Sequence, residues 1–280
     1  MNYSVDELIL EATRLPPIPQ AAQKALAFIR DPASNAADLA AVLSKDQVLS
    51  AHVLRWANSA LYGMENRIAT VQQAIVVLGL TTVQELILAH SMADRLNKAM
   101  PGYELNRGDL WHHAVGTAIG AKLISKERSL KIDEEAYFAG LLCDMGKLVF
   151  EKLLRDTDTS QPEWSHHPFQ EMELATFGID HAMLGAEMAR RWQLPEHIVT
   201  AIAHHHNPEA APNNQILVSA VHVADSAMMM LGVGIGIDGL QYTLDLEALK
   251  RLRMNEQDLI LLVEQVSDQL AHAKELIYFG

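Results

Sequence analysis

One cysteine, Cys143, occurs in 280 residues, so no disulfide can form within the chain. That fits a reducing compartment. Basic residues are also scarce: 22 Lys and Arg stand against 35 Asp and Glu, a formal net charge of −13. A nucleic-acid surface needs the opposite balance, so the charge argues against nucleic acid as a partner. Long hydrophobic runs are missing too. The longest, such as AIVVLGL at 74–80, fall far short of the roughly 20 apolar residues that cross a bilayer. The opening MNYSVDELIL has neither the basic region nor the apolar core of a secretory signal. The expectation is a soluble cytoplasmic protein with no membrane partner.

What is present is helical pattern. Apolar residues make up 49% of the chain, enough for a sizeable core. They recur at helical spacing, and the alternation that marks strands is nearly absent. Thr70 with Gln73 and Thr82 with Glu85 match the capping box, in which a hydroxyl and a returning side chain satisfy exposed N–H groups. Asn35 with Asp38 and Asn106 with Asp109 are looser versions, and Pro195 suits the first turn of a helix from Glu196. Gly63, Gly79, Gly146 and Gly178 stand where helices stop. The pattern predicts helices near 4–13, 19–30, 36–45, 47–58, 70–78, 82–98, 107–128, 133–145, 147–156, 167–176, 181–192, 196–205, 213–231, 246–252 and 256–276. The fold class is all-α, a multi-helix bundle. The loop MPGYELNRG at 100–108 is the expected boundary between an N-terminal helical lobe, 1–103, and a second helical lobe, 104–280. Gly234, Gly236 and Gly239 spell GxGxxG, but a helix precedes them and no βαβ unit surrounds them, so they are given no nucleotide role.

The histidines are unevenly spread. His52 and His90 lie in the first lobe and the other eleven in the second. Asp109 and His113 are four apart and share a helix face. Cys143 and Asp144 end an apolar run, His181 opens a helix, and His204, His205 and His206 close the next. Asp225 sits inside the apolar VSAVHVADSAMMML, where an uncompensated carboxylate is costly. Helical bundles build metal sites from donors projecting inward on facing helices. A mixed His and Asp set suits Fe, Mn, Zn or Ni better than Ca. Two adjacent histidines with bridging carboxylates have donors for one or two ions. A plainer reading stands beside this: satisfied core histidines, an Asp225 paired with a buried cation, and no metal at all. No compact motif such as H-E-x-x-H decides between them.

Two passages are more specific. LPPIP, FIRDP, ADLAAVLSKDQVLSAHVLRWANSALYG and IATVQQAIVVLGLTTVQEL, within residues 15–86, resemble the N-terminal half of the HDOD domain, a bacterial signalling relative of the HD phosphohydrolases. NSALYG at 58–63 and the AI-x-x-LG segment at 74–79 are the strongest parts; the family usually has Asp-Pro where this chain has Asp46-Gln47. LWHHA, GLLCDMGKLV, DHAMLGAEMARRWQLPEHIVTAIAHHHNP and VHVADS are similar to its successive HD motifs, so the resemblance covers about residues 10 to 275.

By that resemblance His113 is the first metal histidine, Cys143 and Asp144 fall on the His-Asp pair, and His181 is the next ligand. His205 and His206 match the paired histidines of the HD-GYP branch, and Asp225 the closing aspartate. Asp109 falls where that branch has a glutamate, and Lys147 where the superfamily has a lysine near substrate phosphate. The departures are Cys143 for histidine, Asp109 for glutamate, and NPEAAPN where the cyclic-di-GMP loop would follow. The resemblance implies a bacterial signal-transduction module that is regulatory and non-catalytic, acts through protein or ligand binding, and takes its signal from a separate chain or ligand. The alternative is a metal-dependent phosphohydrolase of nucleotide or cyclic-dinucleotide phosphoesters, with Asp144 and Lys147 catalytic. Retention of metal for structure alone is the intermediate case. The last helix, from Glu256 to about Tyr278, is amphipathic. Packing back onto the chain and supporting a homodimer are both open to it.

Overall fold

The computed structural model describes residues 4–14, 36–58, 67–157, 164, 168–237 and 243–277. Among these residues the regular elements are helices, with one isolated bridge between Met100 and Leu105. The α-helices are α1 (Val5–Arg14), α2 (Ala36–Leu43), α3 (Gln47–Ala57), α4 (Val71–Leu78), α5 (Leu80–Leu96), α6 (Asp109–Glu127), α7 (Asp133–Leu142), α8 (Lys147–Arg155), α9 (Phe169–Phe177), α10 (His181–Arg191), α11 (Glu196–His204), α12 (Gln215–Met230), α13 (Leu246–Arg251) and α14 (Glu256–Ile277). The all-α expectation is met, and the expected helices fall within a few residues of these; the one near 19–30 lies outside the described residues. None of the described helices is by itself long and apolar enough to cross a membrane.

Two compact units are present. Met1–Pro16 and Arg95–Leu270 form one, and Pro17–Asp94 with Ala271–Gly280 form the other. In the smaller unit the caps follow sequence chemistry. Asp46 caps α3 by accepting the N–H groups of Val48 and Leu49 at 3.0 Å each, which puts Gln47 at the first helical position, where proline is tolerated. Thr70 caps α4 through the Gln73 N–H at 3.2 Å. Gly79, at φ +85°, then turns the chain so that α4 and α5 are bent by 109°. Helix α5 therefore starts at Leu80, and Thr82 lies inside it rather than at a cap. Asn58 closes α3 and bonds the Ile68 backbone in both directions, its Nδ2 donating to Ile68 O and its Oδ1 accepting the Ile68 N–H, each at 2.8 Å.

The larger unit is built around α6, which is buried along most of its length. Small residues let its neighbours approach. A Cβ on Gly140 of α7 would come within 2.9 Å of Ala118 Cα, and one on Gly120 within 3.1 Å of Ala224 Cβ of α12. Met228 fills the space beside Gly116, and Met230 is exposed. The 100–108 loop belongs to this unit and is well packed: Pro101–Tyr103 is a short 3-10 turn, Tyr103 is fully buried, and the Gly102 N–H donates to Glu151 Oε2 at 2.9 Å. Residues Leu259, Leu262, Val266 and Leu270 of α14 are buried, so that helix packs back as far as residue 270.

Gly146 has a different reason from the one its sequence suggests. It does not end α7 in a left-handed turn; it precedes α8 in right-handed geometry. A Cβ there would overlap the backbone carbonyl of His181 and approach Gly185 N to 2.8 Å. Backbone on both sides cannot yield as a side chain would. Gly146→Ala is expected to destabilise the protein by about 3 kcal/mol, the upper end for overpacking. A urea denaturation midpoint measures this.

Candidate metal centre

The junction between α7 and α8 carries Asp144 into the middle of the larger unit. A tight turn, with the Lys147 N–H donating to Asp144 O at 3.0 Å, points both side chains inward. Helix α10 is capped by Asp180, which accepts the Met183 N–H at 2.7 Å, so His181 occupies the first position of the helix, beside Gly146. Helix α11 ends at His204, so His205 and His206 leave its last turn toward the same place. His113 comes from α6 and Asp225 from α12.

Two donor groups form around the shared Asp144. Asp144, His181, His205 and His206 make one, and His113, Asp144 and Asp225 make the other; each has its ligand atoms within 4.8 Å of one another. Asp144 Oδ1 faces the first group, 3.3 Å from His181 Nε2 and 3.7 Å from His205 Nε2. His181 Nε2 and His206 Nε2 face each other at 2.8 Å. Asp144 Oδ2 faces the second group, 3.2 Å from Lys147 Nζ and 3.5 Å from His113 Nε2. His113, Asp144, Lys147, His181, His205 and Asp225 are each 2% exposed or less, and His206 is half-buried.

The rings are oriented from behind. His113 Nδ1 donates to Val233 O at 3.0 Å, His181 Nδ1 to Glu173 Oε2 at 2.6 Å, and His205 Nδ1 to Ile202 O at 2.7 Å. In His181 and His205 the Nε2 atom is thereby left to point at Asp144, the arrangement that metal-binding histidines commonly show, whereas His113 Nε2 lies nearest Asp225.

Charge separates the groups. Burial alone would raise the Asp144 carboxyl, but the Lys147 ammonium and then the imidazoles of His181, His205 and His113 outweigh it and hold it well below the ordinary carboxylate range. Burial opposes protonation of His113, yet the hydrogen bond to Asp225 and the charges of Asp225 and Asp144 raise it to about 8. Its Nε2–H donates to Asp225 Oδ1 at 2.7 Å, so both ring nitrogens donate and the pair is satisfied. Burial likewise opposes protonation of His181, and Glu173 with Asp144 overrides it, to about 10. His206 is driven well below the usual histidine value by burial and by its neighbours His205 and His181.

Two sequence candidates stand outside both groups. Asp109 Oδ2 accepts the Asn106 N–H at 2.7 Å, so its carboxylate serves the start of α6. Cys143 turns its thiol back to Gly140 O at 3.2 Å, and burial with the adjacent Asp144 charge pushes its ionisation well up. The sequence reading missed Glu173 and His222. Glu173 lies one turn after the buried Phe169 and one turn before Phe177 on α9, an acid in register with two aromatic residues, which was the available signal. His222 donates from Nδ1 to His205 O at 2.7 Å and accepts the Asp245 N–H at 2.8 Å, holding the backbone of the paired histidines. His52 and His90 stack on each other in the smaller unit, centroids 3.9 Å apart. His166 and His167 lie outside the described residues.

The first group fits a metal ion. Among the described residues, Asp144 Oδ1 and His205 Nε2 of this group are buried without a hydrogen-bond partner of normal geometry. Such orphans are costly unless something else satisfies them. The donor separations of 2.8, 3.3 and 3.7 Å bracket the roughly 3.3 Å edge of a tetrahedron with bonds of about 2.0 Å.

The model of the HDOD domain matches residues 15–208. The chain belongs to the HDOD domain family. An HDOD domain protein of unknown function from Geobacter sulfurreducens has a TM-score of 0.76 at 26% identity, covering 99% of this chain and 100% of that one. A candidate phosphohydrolase from Shewanella amazonensis SB2B gives a TM-score of 0.73 at 25% identity, covering 98% of this chain and 99% of that one. An uncharacterized protein of Treponema pallidum (strain Nichols) is 29% identical over 232 residues, 79% of this chain but 44% of the relative, so the HDOD chain spans less than half of that protein's length.

In the metal-free HDOD chain Glu173 and Asp144 favour the doubly protonated ring of His181, and ligation requires the neutral ring. Zinc titration at pH 7 is therefore expected to release protons. Calorimetry in two buffers of different ionisation enthalpy reads this as a buffer-dependent heat; identical heats would contradict it.

Proposed function

We propose that this HDOD chain is a regulatory signal-transduction module whose metal centre is structural, with one divalent transition ion held by Asp144, His181, His205 and His206. The family match supports the signalling role. Closure of the site is the observation that carries the non-catalytic reading. Structural ions are enclosed by four protein donors, whereas catalytic ones keep a position open. Here four donors converge, three of them buried, and Lys147, the residue that would meet a phosphate, is 2% exposed and turned onto Asp144. Three imidazoles and one carboxylate suit zinc, iron, manganese or nickel.

The second position already holds its own charges. His113 and Asp225 satisfy each other, and Lys147 supplies a cation to Asp144 Oδ2. A second ion would have to displace both arrangements. In this reading the metal contributes folding energy, and the module acts on a separate signalling protein or responds to a ligand.

A specific observation favours the second reading, a phosphohydrolase: Asp144 is shared between two donor groups, and the Shewanella neighbour is a candidate phosphohydrolase. Bound ions would then acidify water and neutralise phosphoryl charge. Lys147 and His113 would have to turn away from Asp144 to serve such a reaction.

Two outcomes separate the readings. Chelation followed by dialysis is expected to lower the melting temperature by about 5 °C or more, the shift for a few kcal/mol in a chain of this size, and zinc is expected to restore it. The reloaded protein is expected to turn over a panel of nucleotide and cyclic-dinucleotide phosphoesters no faster than Asp144→Asn. Turnover with manganese or iron that vanishes in that variant would establish the phosphohydrolase instead.

A further inference from the structure

Glu173 is a carboxylate with no exposed surface, one of two buried residues of α9 with Phe169. Its two oxygens take three donors. Oε2 accepts both the backbone N–H of His181 at 2.8 Å and the ring Nδ1–H of His181 at 2.6 Å, and Oε1 accepts the hydroxyl of Tyr103 at 2.5 Å. Packing alone would fill this position, between Phe169 and Phe177, with an apolar side chain, because a buried carboxylate costs several kcal/mol in lost solvation. Capping does not explain it either. Asp180 already caps α10 through Met183 N, and a cap has no use for the contact to the His181 ring.

The ring contact decides what His181 does with its other nitrogen. With Nδ1–H fixed on Glu173, the Nε2 atom is directed to Asp144 Oδ1 at 3.3 Å and to His206 Nε2 at 2.8 Å. Tyr103 is itself held firmly. Its carbonyl accepts the Ile237 N–H at 2.8 Å, and its ring lies 5.7 Å from Lys147 Nζ. A Cβ on Gly236 would overlap that carbonyl, so a glycine of the GxGxxG segment is explained by close backbone approach. The chain Tyr103, Glu173, His181 thus runs from a rigid turn to a ligand atom.

We propose that Glu173 is a positioning residue of the metal centre: it fixes the orientation and tautomer of His181 and strengthens Nε2 as a donor, and Tyr103 fixes Glu173. This rests on the metal-centre reading above. Loss of such an outer partner commonly weakens metal binding 10- to 100-fold, by roughly the range seen in other metal sites.

Cobalt(II) is the probe, because its visible absorption reports coordination and competition with a chromophoric chelator reports affinity. The full chain, Glu173→Gln and Tyr103→Phe are compared, with the melting temperature of each metal-free protein as the control for folding. Glu173→Gln keeps the volume and removes the charge. It is expected to bind cobalt about 10-fold or more weakly with an altered visible spectrum, and Tyr103→Phe is expected to shift in the same direction by a smaller factor. Unchanged affinity and spectrum in both variants, whatever their melting temperatures, would overturn the proposal and leave Glu173 a packing residue. If Glu173→Gln does not fold, Tyr103→Phe decides: weaker cobalt binding supports the proposal and wild-type affinity overturns it. If the unmodified chain binds no cobalt, the metal-centre reading fails and this proposal falls with it, an outcome distinct from wild-type binding that the variants share.

Discussion

A single carboxylate, Asp144, sets the terms for the larger unit. It is 1% exposed, and neither oxygen has a hydrogen-bond partner of normal geometry among the described residues. A bare charge in that position would cost far more than a marginally stable fold can tolerate. The surroundings are accordingly arranged around it. Lys147 comes from the next turn, His113 from α6, His181 from the start of α10, and His205 from the end of α11. Gly146 lets the α7–α8 junction lie against the α10 backbone, and without that approach Asp144 and His181 would not meet. Breaking one member of such a set leaves the others uncompensated, which is why buried ion pairs are costly to disrupt even when they add little net stability.

The two oxygens of Asp144 face different chemistry. On the Oδ2 side the chain supplies its own cation, Lys147, and His113 and Asp225 pair with each other. On the Oδ1 side the imidazoles of His181, His205 and His206 converge with one orphaned nitrogen. A histidine at position 143 is what the family resemblance implies, yet the Cys143 thiol turns back into α7 and bonds Gly140 O. Cys143 belongs to neither donor group, and the four-donor group is complete without it.

Much of the fold was legible because helical periodicity and caps are local. Asp46, Thr70 and Gly178 act at helix ends where their chemistry suggests they should. The donors were legible through motif spacing, which places residues on helix faces. What spacing cannot give is distance between elements, and that is fixed here by glycines whose missing Cβ atoms set how closely backbones approach. The support of His181 by Glu173 follows from that packing, whereas the use of Asp109 by Asn106 and the approach of Lys147 to Asp144 are local contacts three residues apart. Glu173 lies eight residues before His181 on a separate helix, so no intrahelical rule connects them.

The central claim is that Asp144 organises one ion, on its Oδ1 side. Elemental analysis of protein purified without a histidine tag, alongside Asp144→Asn, tests it most directly. About one equivalent of a divalent transition metal per chain, lost in the variant, is expected from one closed four-donor site. Two equivalents would contradict the asymmetry of the two oxygens, and no metal in either protein would contradict the site itself.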